Sequence, residues 1–93
     1  MNFLDLLNAV ARVAKPAHQD LRPIDNVDTP FTDTDIDSLD GMMIVMYFSI
    51  IYGIPDEEVK EFHPKTPKEL KEFVVFNHRS TPASIEEAME MIK

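Results

Sequence analysis

The chain has no cysteine and no tryptophan, only two glycines, and nine basic residues against seventeen acidic ones. Without cysteine there is no disulfide, no thiolate nucleophile and no zinc–sulfur site. So few glycines, with little strict apolar–polar alternation, argue against a β protein. A formal net charge of −8 repels nucleic-acid phosphates, which argues against general DNA or RNA binding and suits partners with basic patches. Three scattered histidines argue against a structural metal site. Met1 leads straight into an amphipathic segment with no basic stretch before it, so no secretory signal is expected. The longest apolar run, Leu39 to Ile54, carries Asp40 near its start and is shorter than the roughly 20 residues of a bilayer span. The expectation is a soluble, cytoplasmic protein with no membrane span.

What is present is helical. Ninety-three residues, 44% of them apolar and 28% charged, suffice for one small domain with a modest core. Phe3, Leu6, Leu7, Val10, Val13 and Ala14 recur at a spacing of three to four and make one apolar stripe. Asn2 is its expected N-cap, and Pro16 its expected end. A long connection follows from Lys15 to Asp37, punctuated by Pro16, Pro23 and Pro30 and charged by six aspartates. A loop of that length in a small domain is usually functional. Leu21, Ile24, Val27 and Phe31 are expected to pin it to the core.

A second helix is expected over Ser38–Tyr52, stopped by Gly53 in a left-handed turn with Pro55 beyond it. Ile44, Val45, Phe48, Ile51 and Tyr52 share one face. Met42, Met43, Met46 and Ile50 lie elsewhere around the wheel, so this helix is apolar nearly all round. It is therefore either a central buried helix or partly a docking surface. A short helix over Asp56–Phe62 should point Val59 and Phe62 inward. Thr66, Pro67 and Glu69 form a strong start signal for the next helix, carried on by Leu70, Phe73, Val74 and Phe76 or Asn77. Ser84 and Glu87 open a last helix whose Ile85, Ala88, Met89 and Ile92 share a face.

The informative stretch is Asp33 to Asp40, which reads DTDIDSLD. Ser38 falls where the acidic loop turns into the second helix. A helix start offers unpaired N–H groups and the positive end of the dipole, which suits a phosphate ester. The competing account is that Ser38 or Asp37 is simply the N-cap.

An Asp-Ser-Leu triplet opening an apolar helix after a long acidic loop, with short helices behind it, resembles the acyl carrier protein family. The motif is Asp37-Ser38-Leu39-Asp40, with Ile36 before it and Phe31 where an aromatic often precedes the end of the loop. The similarity spans roughly residues 3–77. It implies an all-α, acyl-carrier-like four-helix bundle, three main helices and one short, over residues 1–77. Residues 78–93 would be an extra C-terminal helix packed on or beside it in a single domain. It implies a non-enzymatic protein whose Ser38 bears a covalent 4′-phosphopantetheine arm holding fatty-acid or polyketide intermediates as thioesters. Magnesium would enter only through the phosphopantetheinyl transferase that attaches the arm. Asp37 would help position that enzyme and its metal, and Leu39 would pack against it. Acyl-loading and acyl-transfer or condensing enzymes would be the other partners, and the carrier itself a monomer.

Departures from the family pattern matter. Its usual members carry Glu five, eleven and twelve residues after the serine, where they dock onto basic partners. Here those positions are Met43, Ser49 and Ile50, while Asp40 remains. Either the C-terminal segment covers these residues, or dedicated partners recognise an apolar face built on Met42, Met43, Met46 and Ile50. A helical adaptor that binds a protein through this face without a prosthetic group is the alternative function.

Two rival chemistries fit poorly. Asp33, Asp35 and Asp37 match the first half of a calcium loop, but Ser38 replaces its glycine and Ile44 its terminal Glu. His18, His63 and His78 have no partner spaced as in a triad or metal motif, and are expected to be exposed turn residues. Lys60, Lys65, Lys68 and Lys71 alternate with Glu61, Glu69 and Glu72, the pattern of a solvated helix face.

Overall fold

The computed structural model describes residues 2–14 and 22–92. The expected roles of Pro16 and Leu21, and His18, lie outside them. The described residues form five α-helices, α1 (Phe3–Ala14), α2 (Ser38–Tyr52), α3 (Asp56–Val59), α4 (Pro67–Asn77) and α5 (Ile85–Met91), with one 3₁₀ turn at Phe31–Asp33 and no strand. No helix among them is long and apolar enough to cross a membrane.

The core is the meeting of the predicted stripes. Leu6, Leu7, Val10 and Ala11 of α1 face Ile44, Val45, Phe48 and Ile51 of α2, with Leu70 and Val74 of α4 and Ala88 of α5 closing it. Phe3 and Tyr52 flank the ring of Phe48 at 5.5 and 6.0 Å. α5 packs against α1 and α2, and Ala88 is completely buried. The C-terminal segment therefore contributes to the core, with Ile85, Met89 and Ile92 partly buried against it.

The helix ends follow local chemistry. Asn2 accepts the Leu4 N–H through Oδ1 at 2.8 Å. Gly53 adopts φ 65°, ψ 31°, and the N–H groups of Gly53 and Ile54 both donate to the Ser49 carbonyl, closing the last turn of α2. Thr66 Oγ1 accepts the Glu69 N–H at 3.2 Å. The Glu69 carboxylate reaches back to the N–H of Lys65 at 3.3 Å, one residue before the cap. Ser84 Oγ accepts the Glu87 N–H at 3.1 Å.

α3 is shorter than the spacing suggests. It stops at Val59, and Phe62 closes a tighter turn by donating its N–H to the Val59 carbonyl at 3.1 Å. Pro64 lies just beyond, and the residue before a proline is steered out of helical geometry. Phe62 still turns inward, stacked on Phe73 of α4 with ring centroids 3.9 Å apart.

The connection between α1 and α2 is tied to the bundle mainly through backbone groups. Phe31 N–H donates to the Lys65 carbonyl at 2.8 Å and Lys68 N–H to the Val27 carbonyl at 2.9 Å. Arg22 clasps Asp35 with its backbone N–H and its guanidinium. Ile24 is buried, while Val27 and Phe31 are half-buried.

Candidate functional site

The start of α2 separates two residues that the sequence leaves interchangeable. Asp37 is the N-cap: its Oδ1 accepts the Asp40 N–H at 2.8 Å, and Asp40 Oδ2 accepts the Asp37 N–H at 3.3 Å. This reciprocal pair is a capping box with aspartate at both corners, an arrangement whose loss costs about 1 kcal/mol. Ser38 is thus the first helical residue rather than the cap. It is exposed, and its hydroxyl makes no hydrogen bond among the described residues.

Asp40 is displaced from the role its sequence position suggested. It is 9% exposed and its carboxylate is engaged in the cap, so the acid that remains from the family pattern faces the helix start instead of solvent. It is also the only charged residue of α2. The exposed side of this helix consequently carries no charge along its length.

That side is apolar. Leu39 is 67% exposed, Met42 and Met46 are each 54% exposed, and Ile50 is 49% exposed. Met43 is half-buried at its margin. Ser49 is buried, with Oγ donating to the Met46 carbonyl at 2.6 Å. Of the two readings of the altered positions, coverage by the C-terminal helix does not describe Met42, Met46 or Ile50, which stay open although α5 is packed against α1 and α2.

Beside Ser38 lies a groove of about 630 Å³. Phe31 and Ile36 come from the loop, Val45 from α2, and Phe62 and Pro64 from the segment after α3; Asp37, Ser38, Gly41, Met42 and His63 border it. Gly41 matters to its shape. A Cβ at that position would meet nothing within 4 Å, so the helix wall stays low one turn beyond Ser38. The ties from Phe31 to Lys65 and from Val27 to Lys68 hold the loop wall in place. Sequence reasoning missed this groove, because its walls come from three segments joined by backbone hydrogen bonds that leave no side-chain pattern.

The remaining candidates do not converge. Asp35 is held by Arg22 and Asp37 by the cap, and the described residues contain no group of three acidic or histidine side chains suited to a metal ion. His63 is exposed on the groove's border. His78 is exposed beyond α4, its Nδ1 3.0 Å from the Val74 carbonyl and its ring edge-on to Tyr52. Comparison with known proteins returns no match, whether among family models, curated proteins or solved structures.

Proposed function

We propose that this chain is an acyl carrier whose Ser38 bears a 4′-phosphopantetheine arm. The observation that carries the reading is the Ser38 hydroxyl: exposed at the first turn of α2, unused in the cap, and bordering an apolar groove. In priming, the Ser38 oxygen attacks the β-phosphorus of coenzyme A. The pyrophosphate bond breaks, adenosine 3′,5′-bisphosphate leaves, and the hydroxyl proton is lost to the transferase, which also supplies the magnesium site. The product is a phosphodiester at a helix N-terminus, where backbone dipoles favour negative charge. The chain has no thiol of its own, so the arm's terminal thiol holds the cargo as a thioester.

The groove favours fatty-acyl or polyketide cargo. Each methylene that leaves water gains about 0.8 kcal/mol, and the walls of Phe31, Ile36, Val45 and Phe62 offer such a surface. The carrier does no chemistry; tethering raises the cargo's effective concentration at loading, transfer and condensing enzymes. Asp37 and Leu39 flank the modified residue and contact the transferase, and the uncharged Met42–Met46–Ile50 side receives partner enzymes. A cytoplasmic setting, where coenzyme A is available, belongs to the same reading.

Mass spectrometry after incubation with coenzyme A, magnesium and a broad-specificity phosphopantetheinyl transferase tests it. Wild type should gain one phosphopantetheinyl group and Ser38→Ala none. An unmodified wild type overturns the proposal.

The exposed apolar side of α2 favours a second reading, a helical adaptor that needs no arm. Under it, partner capture would be unchanged by Ser38→Ala and lost in Met46→Glu.

A further inference from the structure

A second exposed apolar feature lies away from Ser38. Phe76, near the end of α4, is 83% exposed, more than any other large hydrophobic among the described residues, and its neighbour Val75 is 56% exposed. Large exposed aromatics that lie beside a hollow are common interface anchors. Here the hollow is about 580 Å³, walled by Val27 and Asp28 of the connection and by Lys68, Lys71, Glu72 and Val75 of α4, with Phe76 at its rim. The Lys68–Val27 backbone bond fixes the two walls together. Along α4, residues 68, 71, 72, 75 and 76 repeat at helical spacing and form one stripe, charged in its first half and apolar in its second.

The charges point to the occupant. Lys68 and Lys71 balance Asp28 and Glu72, so this face is neutral on a chain of net charge −8. None of the four makes an ion pair among the described residues. A second copy of the same chain is repelled by most of this acidic surface and least by a balanced face that carries both signs. Two such faces meeting about a two-fold axis can set lysines against acids, and each presents a protruding ring to a hollow. That self-complementarity is what an isologous interface requires.

We propose that the α4 face is a self-association site, with Phe76 of each copy seated in the hollow of the other. Val75, Phe76 and the lysine stems offer only a few hundred Å² per copy, below the roughly 800 Å² per partner of a standard stable interface. The dimer is therefore weak and reversible. Ser38 borders the first groove with Thr66 and Glu69 at the start of α4, whereas Tyr52 borders a third hollow with Val74 and Val75 near its end. Val75 and Phe76 thus lie toward the opposite end of α2 from Ser38. The proposal does not depend on the carrier reading.

Sedimentation equilibrium on the full chain up to about 1 mM, a range suited to so small an interface, tests it. Wild type should move from monomer toward dimer with concentration. The association constant should rise with sodium chloride, because salt screens the repulsion of two acidic bodies. Phe76→Gln, neutral and exposed, should weaken association at least tenfold with an unchanged melting curve. Met46→Gln on α2 should leave it unchanged. A monomer at every concentration and salt overturns the proposal, and so does a dimer that survives Phe76→Gln or is lost in Met46→Gln.

Discussion

The side-chain amide of Asn8 engages both backbone groups of Ile24. Its Nδ2 donates to the Ile24 carbonyl at 2.9 Å and its Oδ1 accepts the Ile24 N–H at 2.7 Å. A helix side chain thereby does for the connection what a neighbouring strand would do, and it holds the buried Ile24 side chain against the core. Asn8→Ala strands two partly buried backbone groups and should cost about 2 kcal/mol, from a loss of roughly 1 kcal/mol per bond. Asn8→Asp keeps the acceptor and loses the donor, so it should fall between. Urea denaturation measures both, and an Asn8→Ala variant as stable as wild type would remove the clamp from the account.

Gly53 is the second expected weak point. Its φ of 65° lies in the left-handed region, and an added Cβ would come 2.9 Å from Ser80 Oγ. Backbone strain of about 1–2 kcal/mol applies to any L-residue there. The Tyr52 carbonyl accepts N–H groups from Arg79 and Ser80, so the crowded segment has little room to retreat. Gly53→Ala should lower the melting temperature by about 4–8 °C or more, the scale for a domain of this size per kcal/mol, as read by circular dichroism.

Acid should loosen the tie between α3 and the segment after α4. Arg79 holds Glu58 through two hydrogen bonds of 3.1 Å, and these, with the guanidinium charge, keep the carboxyl below its ordinary value of 4.5. The folded state therefore binds fewer protons than the unfolded one in this range. The contribution is present above that ordinary value and is lost as pH falls through the lowered one. Both side chains are substantially solvated, so the effect is small and salt-sensitive. Melting curves from pH 6 down to pH 3 should fall less steeply for Glu58→Gln than for wild type.

Gly41 separates helix stability from groove shape. Gly41→Ala should stabilise α2 by about 0.8–1 kcal/mol, the helix-propensity gain, since the new methyl group meets nothing within 4 Å. Gly41→Phe should fill the groove. Fluorescence of a hydrophobic dye should then drop relative to wild type and to Gly41→Ala, and undiminished binding would place the dye elsewhere.

Much of the fold was legible because it is local chemistry. The bounds of α2, its glycine stop and the starts at Thr66 and Ser84 all rest on residues within four positions of one another. The start of α2 was ambiguous for a physical reason: Asp and Ser are equally good caps, and only three-dimensional geometry assigns Asp37 to the cap and leaves Ser38 free. Asp40 reads as a surface acid because its capping-box spacing from Asp37 counts only once Asp37, and not Ser38, is the cap. Periodicity leaves Phe76 and Asn77 as alternatives at the end of α4. Asn77 is the half-buried one, its Nδ2 donating to the Phe73 carbonyl at 2.9 Å, while Phe76 faces out. The groove and the hollow beside Phe76 depend on long-range backbone pairings, and the Asn8 clamp on a side chain reaching backbone sixteen residues away; periodicity has no signal for either.

The aspartate pair at the head of α2 has a further consequence. Because it secures the first turn without help from the serine oxygen, decorating that oxygen breaks no hydrogen bond there, and the phosphodiester's charge should tighten the first turn by only about 0.3–1 kcal/mol through the helix dipole. Amide hydrogen exchange across residues 38–45 should slow by no more than about fivefold when the group is attached, the size of that charge–dipole effect. A protein that must tell a laden molecule from a bare one would then have little altered backbone to sense, and would have to touch the appendage itself.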